Sequence, residues 1–329
     1  MQQYRNLLAV AAIVASVAGV IVSTLAAHAQ TWPARTISLV VPYPPGGGVD
    51  AMARVVAEKL SGALGQQVIV DNRAGGSGLV GTRAVARATP DGYTLFLGHT
   101  GSMSINPSLY ANAGFDPRRD FAPIGLIATM PVALLAHPSF PAKTIADVVA
   151  IAKQEGTKLS IGTSAVGTGG YLSAELFKTL TNTDATIIPY KGTGQVMNDL
   201  LGGHVPIAFG VLPPALGNLQ AGSLRAIAVL SEKRFSLLPD VPTANESGLP
   251  GFESVLHYGL LAPAGTPRDI IERLNKELRA LVTADEVTKR IHQEGGDPLT
   301  STPEEYAADI DREETKWAAL IRKLNLKVE

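Results

Sequence analysis

Residues 36–52 read T-I-S-L-V-V-P-Y-P-P-G-G-G-V-D-A-M. The first part, Ile37–Val41, is apolar and β-branched, which predicts a buried strand. Prolines and three glycines then interrupt the pattern, and apolar residues resume at helical spacing from Val49. A glycine-rich loop that leads into a helix presents backbone N–H groups at the positive end of the helix dipole. The stretch therefore predicts a strand, a loop and a helix whose N-terminus can hold an anion.

Two ligands compete for this loop, and a third interpretation needs no ligand. Gly46, Gly48 and Ala51 fit the dinucleotide pattern G-x-G-x-x-A. Asp71 ends the next apolar run, near the place of a ribose-binding acid. The second candidate ligand is a small carboxylate held by the same N–H groups. A tight turn without a ligand also explains the glycines, so the rest of the chain has to decide.

Residues 1–29 have the composition of an export signal. Arg5 precedes an apolar run over residues 7–25, and Ala27 and Ala29 match an A-x-A cleavage site. We expect cleavage near Ala29, an exported protein and a mature start at Gln30. An uncut membrane anchor is the alternative, because the apolar run is nearly long enough to span a bilayer.

The composition excludes several classes of function. The 329 residues contain 28 Lys and Arg against 29 Asp and Glu, with no basic stripe, which argues against a nucleic-acid partner. The absence of cysteine excludes disulfides, thiolate metal sites and cysteine nucleophiles. The six histidines never pair at ligand spacing, so we expect no metal site.

Strand and helix patterns alternate in two separate parts of the mature chain. Residues 68–70 and 93–97 are predicted strands around a helix at 79–88, and the alternation restarts after Pro141. Such alternation predicts βαβ units and parallel sheets. The loops at residues 43–50, 72–78 and 100–104 follow strand ends, so we expect them to meet in one crevice.

Two apolar runs, residues 124–136 and 255–262, are long for ordinary strands. Strands that leave one sheet and enter another explain them. The chain is therefore predicted to form an α/β clamshell that closes by hinge motion over a small ligand. Lobe one comprises residues 30–128 and 256–329, and lobe two comprises residues 129–255.

The candidate loops carry no strong cation. Residues 43–50, 100–104 and 163–170 contain no Lys or Arg. A bound anion must therefore be held by backbone N–H groups and hydroxyls, at about 1.5–3 kcal/mol for each charge-assisted bond. A dinucleotide fits less well, because Pro44 and Pro45 remove two N–H groups and the cofactor is normally found inside the cell.

Six motifs occur in order along the mature chain. They are W-P at 32–33, V-P-Y-P-P-G-G-G-V-D at 41–50, D-N-R-A-G-G-S-G at 71–78, T-P-D-G-Y-T-L at 89–95, I-N-P-S-L-Y at 105–110 and P-Y-K-G at 189–192. The set resembles the Bug-type, or TctC-like, family of extracytoplasmic receptors of tripartite tricarboxylate transporters. The resemblance implies a type II-like periplasmic-binding fold in which each lobe is a mostly parallel sheet flanked by helices.

The resemblance also implies function. A receptor of this type is periplasmic, captures a small organic acid and delivers it to a membrane permease, without chemistry and without a cofactor. We expect it to be monomeric. The implied ligand-binding residues are Tyr43, Gly47, Gly48, Val49, Asp50, Thr100, Ser102, Thr163, Gly167, Thr168 and Tyr190. Two of them have a second interpretation: Tyr43 as packing on Pro42 or Pro44, and Asp50 as a first-turn acid that complements the helix dipole.

Two other functions remain as alternatives. One is an exported α/β enzyme with a nucleotide or dinucleotide site at the loop of residues 46–48. The sequence lacks the G-x-S-x-G motif and a phosphate loop that ends in Gly-Lys-Ser or Gly-Lys-Thr, which argues against the enzyme. The other is a ligand-sensing receptor that signals to a partner, and its binding site would look the same.

Overall fold

The computed structural model describes residues 32–46, 48–154 and 158–328. The predicted signal at residues 1–29 and the predicted site residue Gly47 lie outside the described residues. Residues 35–329 form one compact unit. Among the described helices, none combines the length and apolarity needed to cross a membrane.

Strands and helices alternate through most of the described chain. The strands are β1 (Ile37–Val41), β2 (Val68–Asn72), β3 (Thr94–His99), β4 (Phe121–Ala136), β5 (Ser160–Thr163), β6 (Thr186–Pro189), β7 (Ile207–Val211), β8 (Arg225–Val229), β9 (Val255–Pro263) and β10 (Asp297–Pro298). The helices are α1 (Gly48–Leu64), α2 (Leu79–Ala86), α3 (Asn106–Leu109), α4 (Pro117–Asp120), α5 (Ile145–Lys153), α6 (Gly169–Thr181), α7 (Thr193–Leu201), α8 (Leu216–Gln220), α9 (Arg268–Val282), α10 (Asp285–Gln293) and α11 (Pro303–Lys323). A π-helical turn, Gly101–Ile105, precedes α3.

The strands are joined in the order β2-β1-β3-β9-β4-β7-β5-β6, with β8 and β10 also paired to β4. The βαβ units give parallel pairs, because β1 pairs with β2 and β3, and β5 pairs with β6 and β7. The long strands β4 and β9 add antiparallel pairs. The α/β prediction is confirmed, but each sheet as a whole is mixed, and parallel pairing is confined to the shorter strands.

Strand β4 belongs to both sheets, as its length predicts. From Phe121 to Pro131 it pairs with β9, and from Val132 to Ala136 it pairs with β7. Strand β9 behaves differently from the prediction, because it pairs only with β3 and β4. The return to the first sheet therefore occurs in the segment between β8 and β9. Backbone bonds anchor that segment, with the N–H of Val132 donating to the carbonyl of Ser254 at 2.9 Å.

Strand β1 lies in the interior of the first sheet, between β2 and β3, and four of its five residues are apolar. Ile37, Leu39, Val40 and Val41 are all fully buried. In the second sheet, aromatic rings of Phe177, Phe209 and Phe252 form the centre of a core with centroid distances of 5.6–6.0 Å. The paired cores hold the strand ends, and the loops that follow them, in fixed positions.

Candidate ligand-binding site

A cavity of about 270 Å³ lies where loops of the two sheets meet. Tyr43 follows β1, Ser77 follows β2, His99 ends β3, and residues 164–168 follow β5. Ligands of open α/β sheets bind at the carboxyl ends of the strands, and this cavity has that position. The predicted convergence of three loops of the first sheet is observed, with a loop of the second sheet beside them.

Four predicted site residues line the cavity: Tyr43, Val49, Gly167 and Thr168. Gly48 begins α1 one residue before Val49, and Gly47 is outside the described residues. The other predicted residues are not part of the described lining; they are Asp50, Thr100, Ser102, Thr163 and Tyr190.

The rings of Tyr43, which follows β1, and His99, which ends β3, stack on each other. Their centroids are 5.1 Å apart with an interplanar angle of 16°. The backbone N–H of Gly101 donates to Nδ1 of His99 at 2.7 Å. Nδ1 is therefore an acceptor, and the neutral ring carries its proton on Nε2. Burial lowers the pKa of His99 from 6.5 to about 4, so the imidazole is neutral at physiological pH.

Tyr43 packs on His99 and also reaches the neighbouring loop. Its hydroxyl donates to the carbonyl of Ser77 at 3.5 Å, and the side-chain amide of Asn106 donates to the same carbonyl at 2.9 Å. Burial raises the pKa of the Tyr43 hydroxyl above its ordinary value, which keeps it protonated as a donor. Ser77 itself has a positive φ of 54°, a conformation that side-chain-bearing residues rarely adopt. These bonds hold the two loops together along one side of the cavity.

Asp50 organises the first loop from inside. Its carboxylate accepts from the backbone N–H of Gly46 at 2.9 Å, from Nε of Arg54 at 2.9 Å and from Nδ2 of Asn72 at 3.0 Å. Burial alone raises the pKa of Asp50, but the bonds from Arg54, Gly46 and Asn72 bring it below its ordinary value of 3.8. The side chain is 3% exposed and its oxygens are occupied, so Asp50 shapes the loop.

Thr100 and Ser102 also serve the scaffold. The hydroxyl of Thr100 accepts the backbone N–H of His257 at 2.8 Å, which ties the end of β3 to β9. The hydroxyl of Ser102 bonds to the backbone N–H and carbonyl of His99 at 3.1 and 3.0 Å. Both side chains thus fix the backbone on which His99 is carried.

The N-terminus of α6 borders the cavity on the side of the second sheet. The hydroxyl of Thr168 accepts the N–H of Tyr171 at 3.3 Å and shares a hydrogen bond with the hydroxyl of Ser164 at 2.8 Å. Gly167 has a positive φ of 83°, and a Cβ there would lie 2.1 Å from Leu109. Only glycine fits this turn without displacing the neighbouring loop.

Thr163 and Tyr190 lie behind that loop. The hydroxyl of Thr163 is fully buried and has no hydrogen-bond partner among the described residues. The hydroxyl of Tyr190 donates to Asp199 at 2.6 Å, and its backbone N–H donates to the carbonyl of Thr163 at 2.9 Å. Burial and the bond to Asp199 raise the pKa of Tyr190 to about 12. The described side chain of Tyr190 therefore supports α7 and does not face the cavity.

Six polar lining residues were not predicted: Ser77, His99, Asn106, Tyr110, Ser164 and Thr193. Each lies in or beside a loop that the sequence indicates. Ser77 belongs to the D-N-R-A-G-G-S-G motif, and Asn106 to I-N-P-S-L-Y. The polar composition of whole loops indicated where the cavity lies. The residues predicted within those loops were often neighbours of the residues that line it.

The cavity has no formal charge in its described lining. Asp, Glu, Lys and Arg are all absent from the described lining residues. Donors are supplied by hydroxyls, the Asn106 amide, the imidazole and helix N-termini, including that of α7, whose first turn has no side-chain cap. Nor do the described residues contain a group of three or more His, Asp or Glu side chains arranged around a metal ion. The site can hold an anion through dipoles and hydrogen bonds.

A family model and an individual relative both match this chain over most of its length. The sequence model of the tripartite tricarboxylate transporter family receptor matches residues 52–326. Protein BugT of Bordetella pertussis is 34% identical over 324 residues, which are 98% of this chain and 98% of BugT.

Two solved structures share the fold. Rpa4515 of Rhodopseudomonas palustris, solved with adipate, is 36% identical, with a TM-score of 0.79 over 90% of this chain and 100% of that one. MatC of the same species, solved with bound malate, is 31% identical, with a TM-score of 0.75 over 88% of this chain and 100% of that one. The two-lobed α/β fold of the periplasmic binding proteins is thereby confirmed. The match over most of its length places the chain in the tripartite tricarboxylate transporter receptor family.

Proposed function

We propose that the chain captures a small organic carboxylate in the cavity and delivers it in the periplasm to the membrane permease of a tripartite transporter. The observation that carries the proposal is a cavity at strand ends with many hydrogen-bond donors and no described charged side chain. Such a lining favours a small anion held by hydrogen bonds. The adipate and malate in the two solved relatives support a carboxylate ligand.

The proposed contacts lie on both sides of the cavity. The N–H groups at the start of α1, at Gly48 and Val49, receive the carboxylate, and the dipole of the helix favours its negative charge. Gly47, which the sequence predicts as a further contact, lies outside the described residues. His99 and Asn106 border the same space. Gly167 and Thr168 approach from the second sheet. Asp50, Thr100 and Ser102 hold these groups in place through the bonds described above.

The lobes are proposed to divide near residues 128 and 256. The change of pairing within β4, from β9 to β7, falls between Pro131 and Val132 and supports a hinge close to the first boundary. Loops on both sides of that point line the cavity, so hinge motion would open and close it.

The dinucleotide alternative has little structural support. The N–H of Gly46, which a pyrophosphate would need, donates to Asp50. Asp71, the candidate ribose ligand, bonds to Arg73 at 2.8 Å. The Gly46 N–H and the Asp71 carboxylate, which a dinucleotide would need, therefore already form hydrogen bonds within the protein.

Thermal unfolding of the mature chain, from Gln30 onward, tests the proposal. A ligand that binds only the folded state should stabilise it by about 2.7 kcal/mol at 100 times its dissociation constant. We expect stabilisation by a carboxylate and none by NAD. Stabilisation by NAD alone would favour the interpretation of the loop at residues 46–48 as a nucleotide site. Size-exclusion chromatography of the same sample should give a monomer.

Location is tested separately by expressing residues 1–329 in a Gram-negative host. We expect the protein in the periplasmic fraction with an N-terminus at Gln30, determined by mass spectrometry. Retention of the full-length chain in the membrane fraction would favour the uncut anchor.

A further inference from the structure

The lining of the cavity differs in chemistry between its two sides. Polar groups of Ser77, His99 and Asn106 border it from the first sheet. The opposite side combines the hydroxyls of Ser164, Thr168 and Thr193 with an apolar patch. We term this patch the apolar floor, and it is formed by Leu135, Val196, Met197, Ala208, Phe209 and Val211. The floor is part of the hydrophobic core of the second sheet, and Leu135 and Phe209 are fully buried.

Two of the hydroxyls on this side are paired with each other. Ser164 and Thr168 bond to each other at 2.8 Å, and Thr168 also caps α6 through Tyr171. A second carboxylate or several ligand hydroxyls placed on the floor would lose water with no charged partner in the described lining, and the polar groups left to bond them on this side are the hydroxyl of Thr193 and the start of α7. Burial of an unpaired polar group weakens binding by about fivefold to about a hundredfold, and burial of an anion weakens it more.

We infer that the preferred ligand is a monocarboxylate with an apolar hydrocarbon body. Its carboxylate lies toward the first sheet and the start of α1, and its body covers the floor. The inference rests on the proposed function and narrows it, because it excludes hydroxylated and multiply charged acids as the best ligands of this chain.

Isothermal titration calorimetry on the mature wild-type protein tests the inference with two sets of acids. In the series butanoate, pentanoate and hexanoate, affinity should rise about fourfold per methylene, as expected for burial of each CH₂. Hexanoate and adipate have the same carbon number and differ by one carboxylate. Hexanoate should bind at least about tenfold more tightly than adipate.

A matched pair of variants tests whether the hydrocarbon body of the ligand binds at the floor. Val211 is half-buried in the floor, whereas Val80 is an exposed residue of α2. Val211→Thr keeps the shape but adds a hydroxyl to the floor, and it should weaken hexanoate binding about tenfold. Val80→Thr makes the same chemical change away from the cavity and should leave affinity unchanged. Equal effects of the two variants would contradict the assignment of the floor.

The outcomes separate the two proposals. Tighter binding of adipate, malate or citrate than of hexanoate would overturn the apolar ligand and leave the carboxylate receptor intact. Failure of every carboxylate to bind would overturn both. A rise in affinity along the series together with the loss in Val211→Thr would support both.

Discussion

His99 shows how one residue links the scaffold to the cavity. Its backbone is fixed by Ser102, its Nδ1 by the N–H of Gly101, and its ring by the stack with Tyr43. With Nδ1 occupied and the ring neutral, Nε2–H is the remaining polar group of the side chain. The imidazole is therefore held in one orientation and one tautomer before a ligand arrives.

Gly101→Ala should weaken ligand binding while leaving the protein folded. A Cβ at this position would lie 2.3 Å from Cε1 of His99, so the ring must leave its stacked position. We expect a loss of affinity of about fivefold or more, measured by calorimetry with the best carboxylate. Gly217→Ala, on the exposed face of α8 with no atom within 4 Å of the new Cβ, is the control. Unchanged affinity in Gly101→Ala would show that the ring position is irrelevant to binding.

The pKa of His99 predicts a pH dependence of stability. The value is about 4 in the folded protein and 6.5 for an ordinary histidine, so the unfolded chain takes up a proton first as the pH falls. The contribution of the neutral ring is complete above pH 6.5 and is lost as the pH falls toward 4. The slope is at most about 1.4 kcal/mol per pH unit for one proton.

His99→Phe retains a ring for the stack with Tyr43 but cannot titrate. Urea unfolding at about pH 7 and about pH 4.5 should show a smaller loss of unfolding free energy in the variant than in the wild type. Parallel losses in the two proteins would mean that His99 does not control this part of the pH profile.

Single site residues were the part of the site that the sequence predicted least well. Loop composition located the cavity, but the direction of each side chain depends on loop conformation. Ser77 lines the cavity from a turn with a positive φ, and the carboxylate of Asp50 accepts from Gly46, Arg54 and Asn72 inside the protein. The sequence allows an i,i+4 pair of Asp50 with Arg54 in α1, but it gave no sign of Asn72, which lies in strand β2.

The start of helix α6 is both a structural cap and a wall of the cavity. Thr168→Ala removes the bond to the N–H of Tyr171 and the bond to Ser164. We expect a loss of about 1 kcal/mol of unfolding free energy, typical of a lost N-cap, together with about fivefold weaker ligand binding.

Thr302→Ala is the matched control for this prediction. Thr302 caps α11 by accepting the N–H of Glu305 at 3.1 Å, and it is not part of the cavity lining. Thr302→Ala should lower the free energy of unfolding by an amount similar to Thr168→Ala, with no change in ligand affinity. If both variants bind equally well, the α6 cap has no role in ligand contact.

Elements were predicted well where one local pattern decides them. Helices α5 and α11 begin with capping boxes, whose sequence pattern of Thr followed three residues later by an acid is visible at Thr144 and Thr302. The length of β4 correctly indicated a strand shared by two sheets. Strand direction was less accessible, because the antiparallel pairing of β9 with β3 and β4 depends on the return path of a distant segment. Local periodicity contains no information about that path.

At the scale of the whole molecule, the shared strand should make unfolding cooperative. The two halves of β4 pair with different sheets, and residues 35–329 form one compact unit. We expect a single calorimetric transition for the mature chain, with equal calorimetric and van't Hoff enthalpies. Two resolved transitions, or an enthalpy ratio well above one, would show that the lobes unfold independently.

The uncharged lining of the cavity also bears on the medium in which the protein works. Ion pairs between exposed groups weaken as salt rises, because the screening length falls from about 10 Å at 0.1 M to about 3 Å at 1 M. Backbone dipoles and hydrogen bonds in a closed cavity act at contact distance, inside that length. A receptor with an uncharged cavity does not attract its ligand by long-range electrostatic steering. Its affinity should therefore stay nearly constant between low and high ionic strength.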